Sequence, residues 1–147
     1  KAEASAIPED RRRVVTKIAR LVRDSDFRRK VTVAYDRKCA VTGLQLRLID
    51  AAHILPVGAT GSIDEVTNGL CLSPTFHRAY DRALIYLTED HRMMIDERRR
   101  QDLLRLGLGG GLPEFEAYLG RQIFLPADRL QWPSVDMIRR ANRFRKT

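Results

Sequence analysis

Residues 39–56 read CAVTGLQLRLIDAAHILP. Thr42-Gly43 has turn composition, Leu46, Leu48 and Asp50 alternate, and Pro56 ends the run. That period of two predicts a β-hairpin or a tight ββ unit within the stretch. Residues 57–69, VGATGSIDEVTNG, are rich in Gly, Thr, Ser, Asp and Asn and predict a loop. An apolar LCL follows, and then SPTFHRAYDRA at 73–83. Ser73 suits an N-cap and Pro74 the first helical position, so a short helix is expected from Pro74 to about Asp81. On that helix His77 and Asp81 stand four residues apart and share a face. An imidazole and a carboxylate so placed can hold one divalent cation, and an exposed ion pair fits the same spacing.

Outward from this stretch the chain reads as helix and mixed structure. Residues 8–24 carry a stripe of Val14, Val15, Ile18, Leu21 and Val22 after Pro8 and two acids, which predicts an amphipathic helix. A second helix is expected over 26–35, capped by Asp24 or Ser25, with the pair packed on the core. Arg11, Arg12, Arg13, Arg28 and Arg29 would then face water or contact a DNA backbone. Beyond Asp81, residues 84–88 and 92–95 predict a hairpin around Glu89-Asp90. Helices are expected over 97–106, 113–119 and 133–145, and a strand over 121–126. The run GLGGG at 107–111 lacks the GK[ST] of a phosphate-binding loop and reads as a flexible connection. Phe76 and Tyr80 are expected in the core, Trp132 as a packing anchor and His91 as an exposed turn residue.

Composition narrows the class. The chain has 147 residues, 44% hydrophobic and 31% charged, which suits one domain with a real core. No apolar run approaches the roughly 18 to 20 residues that span a bilayer. Cys39 and Cys71 form no CxxC pair, which predicts two reduced, buried thiols in a cytoplasmic protein and no structural zinc. Lys plus Arg number 27 against 19 acidic residues, a net charge of +8. Such a surface attracts polyanions, nucleic acid first, although acidic membranes and plain solubility account for it too. The chain opens on Lys1, and a fragment excised from a longer protein is expected.

The polar residues fall in a specific order. His53 ends AAHILP, Asn68 comes fifteen residues later in TNGLCLSP, His77 nine after that, and Asp81 four after His77. With Cys39–Gly43, Ala51–Pro56, Asn68–Leu72 and His77–Asp81 in that sequence, residues 27–96 resemble the HNH, or ββα-metal, endonucleases. The subgroup found in modification-dependent restriction enzymes is the nearest. The resemblance implies an α+β fold: a ββα-metal core with N-terminal helices and a C-terminal α/β extension, one domain over 1–147. It implies hydrolysis of double-stranded DNA to 5′-phosphate and 3′-hydroxyl ends. His53 would be the general base, since an imidazole takes a proton near neutral pH without a large shift. His77 and Asp81 would hold one cation, Mg²⁺ or Mn²⁺, as Lewis acid. Asn68 would tie the loop to the hairpin and orient His53. Arg78 and Arg82, on the same helix, are candidate phosphate clamps.

One departure qualifies the match. Many relatives place an Asp or His ligand directly before the base, and this chain has Ala52. Asp50 is a spare carboxylate on the same strand, expected to cap a turn or pair with an arginine, with ligation of the ion as the lesser option. The implied partners are double-stranded DNA, a second copy of the chain and a separate recognition domain, with no membrane. Two rivals share the residues: a non-catalytic DNA-binding module on the same fold, and a nonspecific or toxin nuclease.

Overall fold

The computed structural model describes residues 7–146. The first element is a single helix, α1, over Glu9–Ala34. The expected break at Asp24-Ser25 does not occur. Neither residue stops a helix outright, and each lowers propensity by only a fraction of a kcal/mol. Only the last third of α1 meets the body: Phe27, Val31 and Thr32 are buried. The stripe expected to pack on the core stays in solvent, with Val14, Val15, Ile18, Leu21 and Val22 all between 55% and 62% exposed.

After α1 the chain turns back through Cys39–Gly43. The Gly43 amide donates to the Cys39 carbonyl at 2.8 Å, and Gly43 holds φ at 80°, a left-handed value suited to glycine. The Ala40 amide donates to the Cys71 carbonyl at 2.7 Å and docks this turn beside a strand. Leu46 and Arg47 follow in left-handed backbone, and Leu46 is 73% exposed. The alternation at 44–48 is therefore a turn, and the hairpin expected within 39–56 is instead spread over two distant segments. Strand β1, Asp50–His53, pairs antiparallel with β2, Gly69–Leu72, with Asp50 opposite Leu72 and His53 opposite Gly69. The loop between them ends in a 3-10 turn over Val66–Asn68.

Helix α2, Pro74–Asp81, leaves β2 at once, with Ser73 at the N-cap position but without a side-chain cap bond. This completes a ββα unit. Two buried tyrosines anchor its strands: the Tyr35 hydroxyl donates to the Gly69 carbonyl at 3.0 Å, and the Tyr80 hydroxyl to the Ile54 carbonyl at 2.9 Å. At Gly69 a Cβ would lie 2.4 Å from Val31 Cγ2, so α1 approaches as closely as it does only because this residue has no side chain.

The C-terminal part holds hairpin β3–β4 (Ile85–Leu87 with Met93–Ile95) and helices α3 (Glu97–Arg105), α4 (Leu112–Glu116) and α5 (Val135–Arg145). Asp96 caps α3 by accepting from the Arg99 amide at 3.0 Å. The architecture is α+β, with one N-terminal helix where two were expected. Residues 121–126 form no strand. One bridge, Arg92 to Gln122, and the bond from the Phe124 amide to the Ala40 carbonyl at 2.8 Å dock them as extended chain. Phe76 and Tyr80 are buried, and Trp132 is an anchor whose Nε1 donates to the Pro126 carbonyl at 2.7 Å. His91 is half-buried rather than exposed: its Nε2 lies 3.1 Å from the Pro133 carbonyl and its ring meets Trp132 edge-on. Cys39 and Cys71 are both buried and free. No described helix is long and apolar enough to cross a membrane.

Candidate active site

His53 closes β1 on the side of the ribbon that faces α1. Its ring stacks flat on Phe27, 3.9 Å between centroids and 7° between planes. Its Nε2 lies 2.9 Å from Asp64 Oδ1, in the loop between the strands. An ionised carboxylate can only accept, so the imidazole donates from Nε2 and Nδ1 keeps its lone pair. The side chain is 16% exposed, sheltered but not sealed. The stack fixes the ring plane and the carboxylate fixes its rotation. Neither partner was expected from sequence. Asp64 sits in a polar loop segment whose composition reads as turn, and Phe27 reads as an ordinary core position.

Asn68 is fully buried. Its Oδ1 accepts from the Leu55 amide at 2.8 Å, and its Nδ2 donates to the Ile63 carbonyl at 2.9 Å and the Leu55 carbonyl at 3.2 Å. Its own carbonyl accepts from the Ile54 amide at 2.9 Å. Asn68 thus clips the loop that carries Asp64 to the segment that follows His53. These bonds run to backbone next to His53 and not to its ring, so Asn68 is a positioning residue.

A second cluster stands at the other end of β1, where Asp50 meets α2. His77 lies between two carboxylates: Nδ1 is 2.9 Å from Asp50 Oδ2, and Nε2 is 3.2 Å from Asp81 Oδ2. Arg28 braces Asp50, with Nη1 3.7 Å from its carboxylate and Nη2 donating to the Ile49 carbonyl at 3.2 Å. Arg28 stays exposed, as expected, and its guanidinium also ties to the end of β1. Among the described residues no three His, Cys, Asp or Glu side chains converge where one ion could sit. Asp50 occupies Nδ1, which orients the ring and leaves Nε2 for an ion, the arrangement found behind many histidine ligands. Nε2 and Asp81 form the remaining donor pair. Adjacent ligands of an ion with bonds of about 2.1 Å sit about 3 Å apart, so this pair fits one cation with water or phosphate oxygens filling its other positions.

The two clusters are three residues apart along β1, about 10 Å of strand. Arg78 and Arg82 are exposed and do not join them. A step of 100° around α2 from His77 and Asp81 turns them to a groove shared with Phe115 and Leu84. Burial and the nearby Cys39 push the Cys71 thiol up to about 12, so it offers no thiolate at neutral pH. Burial likewise pushes the Tyr80 hydroxyl up to about 12.

Comparison with known proteins agrees with this geometry. Residues 39–88 match the family model of HNH endonucleases. No curated protein matches the chain. Among solved structures, a modification-dependent TagI restriction endonuclease shares the fold, with a TM-score of 0.53 and 20% identity over 81% of this chain. The chain spans 37% of that protein's length. The ββα unit with its ordered His53, Asn68, His77 and Asp81 lies within the matched segment, so this segment is similar to HNH endonucleases, and the chain shares its fold with the restriction endonuclease.

Proposed function

We propose that this domain hydrolyses phosphodiester bonds of double-stranded DNA and is the cleavage part of a restriction enzyme. The observation that carries the reading is His77 between Asp50 and Asp81. With Nδ1 against Asp50, Nε2 faces a second carboxylate, that of Asp81. A divalent cation placed between Nε2 and Asp81 would be held by both groups.

When bound, Mg²⁺ or Mn²⁺ would supply Lewis-acid chemistry at the scissile phosphate and its leaving 3′ oxygen. His77 and Asp81 would hold that ion, and Asp50, braced by Arg28, orients His77. His53 takes a proton from the attacking water at Nδ1. Asp64 keeps the Nε2 proton in place and stabilises the imidazolium that results. Phe27 keeps the ring plane from turning, and Asn68 keeps Asp64's loop against β1. The bond from phosphorus to the 3′ oxygen breaks as the water oxygen adds, and the departing 3′ oxygen takes a proton from solvent, giving a 5′-phosphate and a 3′-hydroxyl. Target choice belongs to a separate recognition domain, and a second copy would cut the opposite strand.

Plasmid cleavage at low salt tests this, with Mg²⁺, Mn²⁺ or EDTA and with His53→Ala and Asp64→Ala beside the native chain. Metal-dependent nicking is expected, lost about 10²- to 10⁴-fold in His53→Ala. Asp64→Ala should lower kcat by about tenfold or more and leave KM unchanged. Native-level cleavage by His53→Ala would remove it as the base.

A further inference from the structure

We propose that the cleft between the start of α3 and the last turns of α5 binds the sugar-phosphate backbone of duplex DNA outside the scissile step; this rests on the nuclease reading above. The cleft walls hold six cationic and three acidic side chains. The acids are already engaged. Glu89 pairs with Arg139 at 3.0 Å, Asp96 caps α3, and Glu97 accepts from Gln101 at 2.7 Å. Arg98, Arg143 and Lys146 are exposed and have no carboxylate partner among the described residues.

Arg145 adds the link to the site. Its guanidinium lies 3.8 Å over the Tyr80 ring and donates from Nη1 to the Tyr80 carbonyl at the end of α2. Its Nε and Nη2 are buried with no acceptor. A buried cation with unused donors costs stability without a counter-charge, so its neighbourhood favours an anion from outside. Tyr80 is the residue before Asp81, and Ala83, two residues beyond Asp81, lines the cleft. A strand whose scissile phosphate sits at His77 and Asp81 therefore passes over the end of α2 directly into this basic cleft. Each DNA strand presents a charge every 3.4 Å or so, and arginine forks match phosphate oxygens in pairs. Contacts of this kind go to phosphate and sugar and carry no sequence information, so they serve any sequence.

The test replaces the three free, exposed cations, Arg98→Gln, Arg143→Gln and Lys146→Gln, which do not touch the core. Binding to two unrelated 20-base-pair duplexes is followed by fluorescence anisotropy from about 50 to 200 mM salt in EDTA, and cleavage of plasmid is run in parallel. A control triple changes Arg11, Arg12 and Arg13 to Gln, removing the same charge from the far end of α1. The expected result is a loss of about 2 to 3 in the slope of log K against log salt, equal for both duplexes and absent in the control. A native slope in the cleft triple overturns the proposal, as does an equal loss in the control. If the native chain cleaves while the cleft triple keeps its slope, this inference falls and the nuclease stands. If the slope falls but the native chain never cleaves, the cleft stands and the nuclease reading falls. A polyglutamate peptide that competes as well as duplex at equal charge also overturns it.

Discussion

Asn68 shows how one buried amide can organise a site it does not touch. It satisfies the Leu55 amide and two carbonyls, those of Leu55 and Ile63, in a loop with little apolar content of its own. Replacing it by Ala leaves those backbone groups without a partner where water has no access. Each such group costs about 1–3 kcal/mol, so Asn68→Ala should lose about 2–4 kcal/mol once the loop relaxes. Urea unfolding checks this: the midpoint should fall with little change in slope, and a loss under about 1 kcal/mol would mean the loop is held by something else. Asn68 was legible in sequence because it sits in a fixed order with His53, His77 and Asp81. Asp64 was not. A carboxylate in a Ser-Ile-Asp-Glu loop has no period, and only the folded loop brings it to His53. Asp50 was half-legible: its pairing with an arginine was expected, while its hold on His77 needed the register of β1 against α2.

At the scale of elements, α2 was read correctly to the residue because Ser73 and Pro74 mark its start locally. The strands were harder. The alternation at 46–50 and the apolar run at 121–126 both read as strands, but a strand needs a partner. Leu46 lacks one because the backbone there is left-handed, and residues 121–126 find only one bridge. The true partner of β1 lies sixteen or more residues away, a distance that local periodicity does not encode. Helix α1 makes the converse point. Its stripe at 14–22 has the pattern of a core face, yet the body covers only the last turns, from Phe27 on. The outer half should therefore tolerate truncation. Leu21→Ala is expected to change stability by less than about 0.5 kcal/mol, whereas Val31→Ala, at a fully buried position against Gly69, should cost about 2 kcal/mol. Chemical denaturation of the two variants separates them. Equal losses would mean the stripe is covered in solution.

For the whole molecule, the two halves of the chemistry hang on one short strand. Asp50 and His53 bracket β1, α1 braces both ends through Arg28 and Phe27, and α2 brings His77 and Asp81. The donor pair lies on α2, and Asp50 orients its imidazole only when β1 is docked, so the oriented site is absent from the unfolded chain. The proposed cation binding at His77 and Asp81 would therefore be linked to folding of the ββα unit. At a metal concentration one hundred times Kd, the folded state gains about 2.7 kcal/mol. For a chain of this length that corresponds to a rise of about 5–10 °C in Tm. Thermal unfolding with increasing Mn²⁺ or Mg²⁺ should show this rise, and EDTA should reverse it. Asp81→Asn should abolish the rise while leaving the metal-free Tm close to native, because Asp81 is 58% exposed and its close contact is one to His77 at the helix surface. A rise that survives Asp81→Asn would place the ion elsewhere, and no rise in the native chain at millimolar metal would separate the folded ββα unit from the metal chemistry proposed for it.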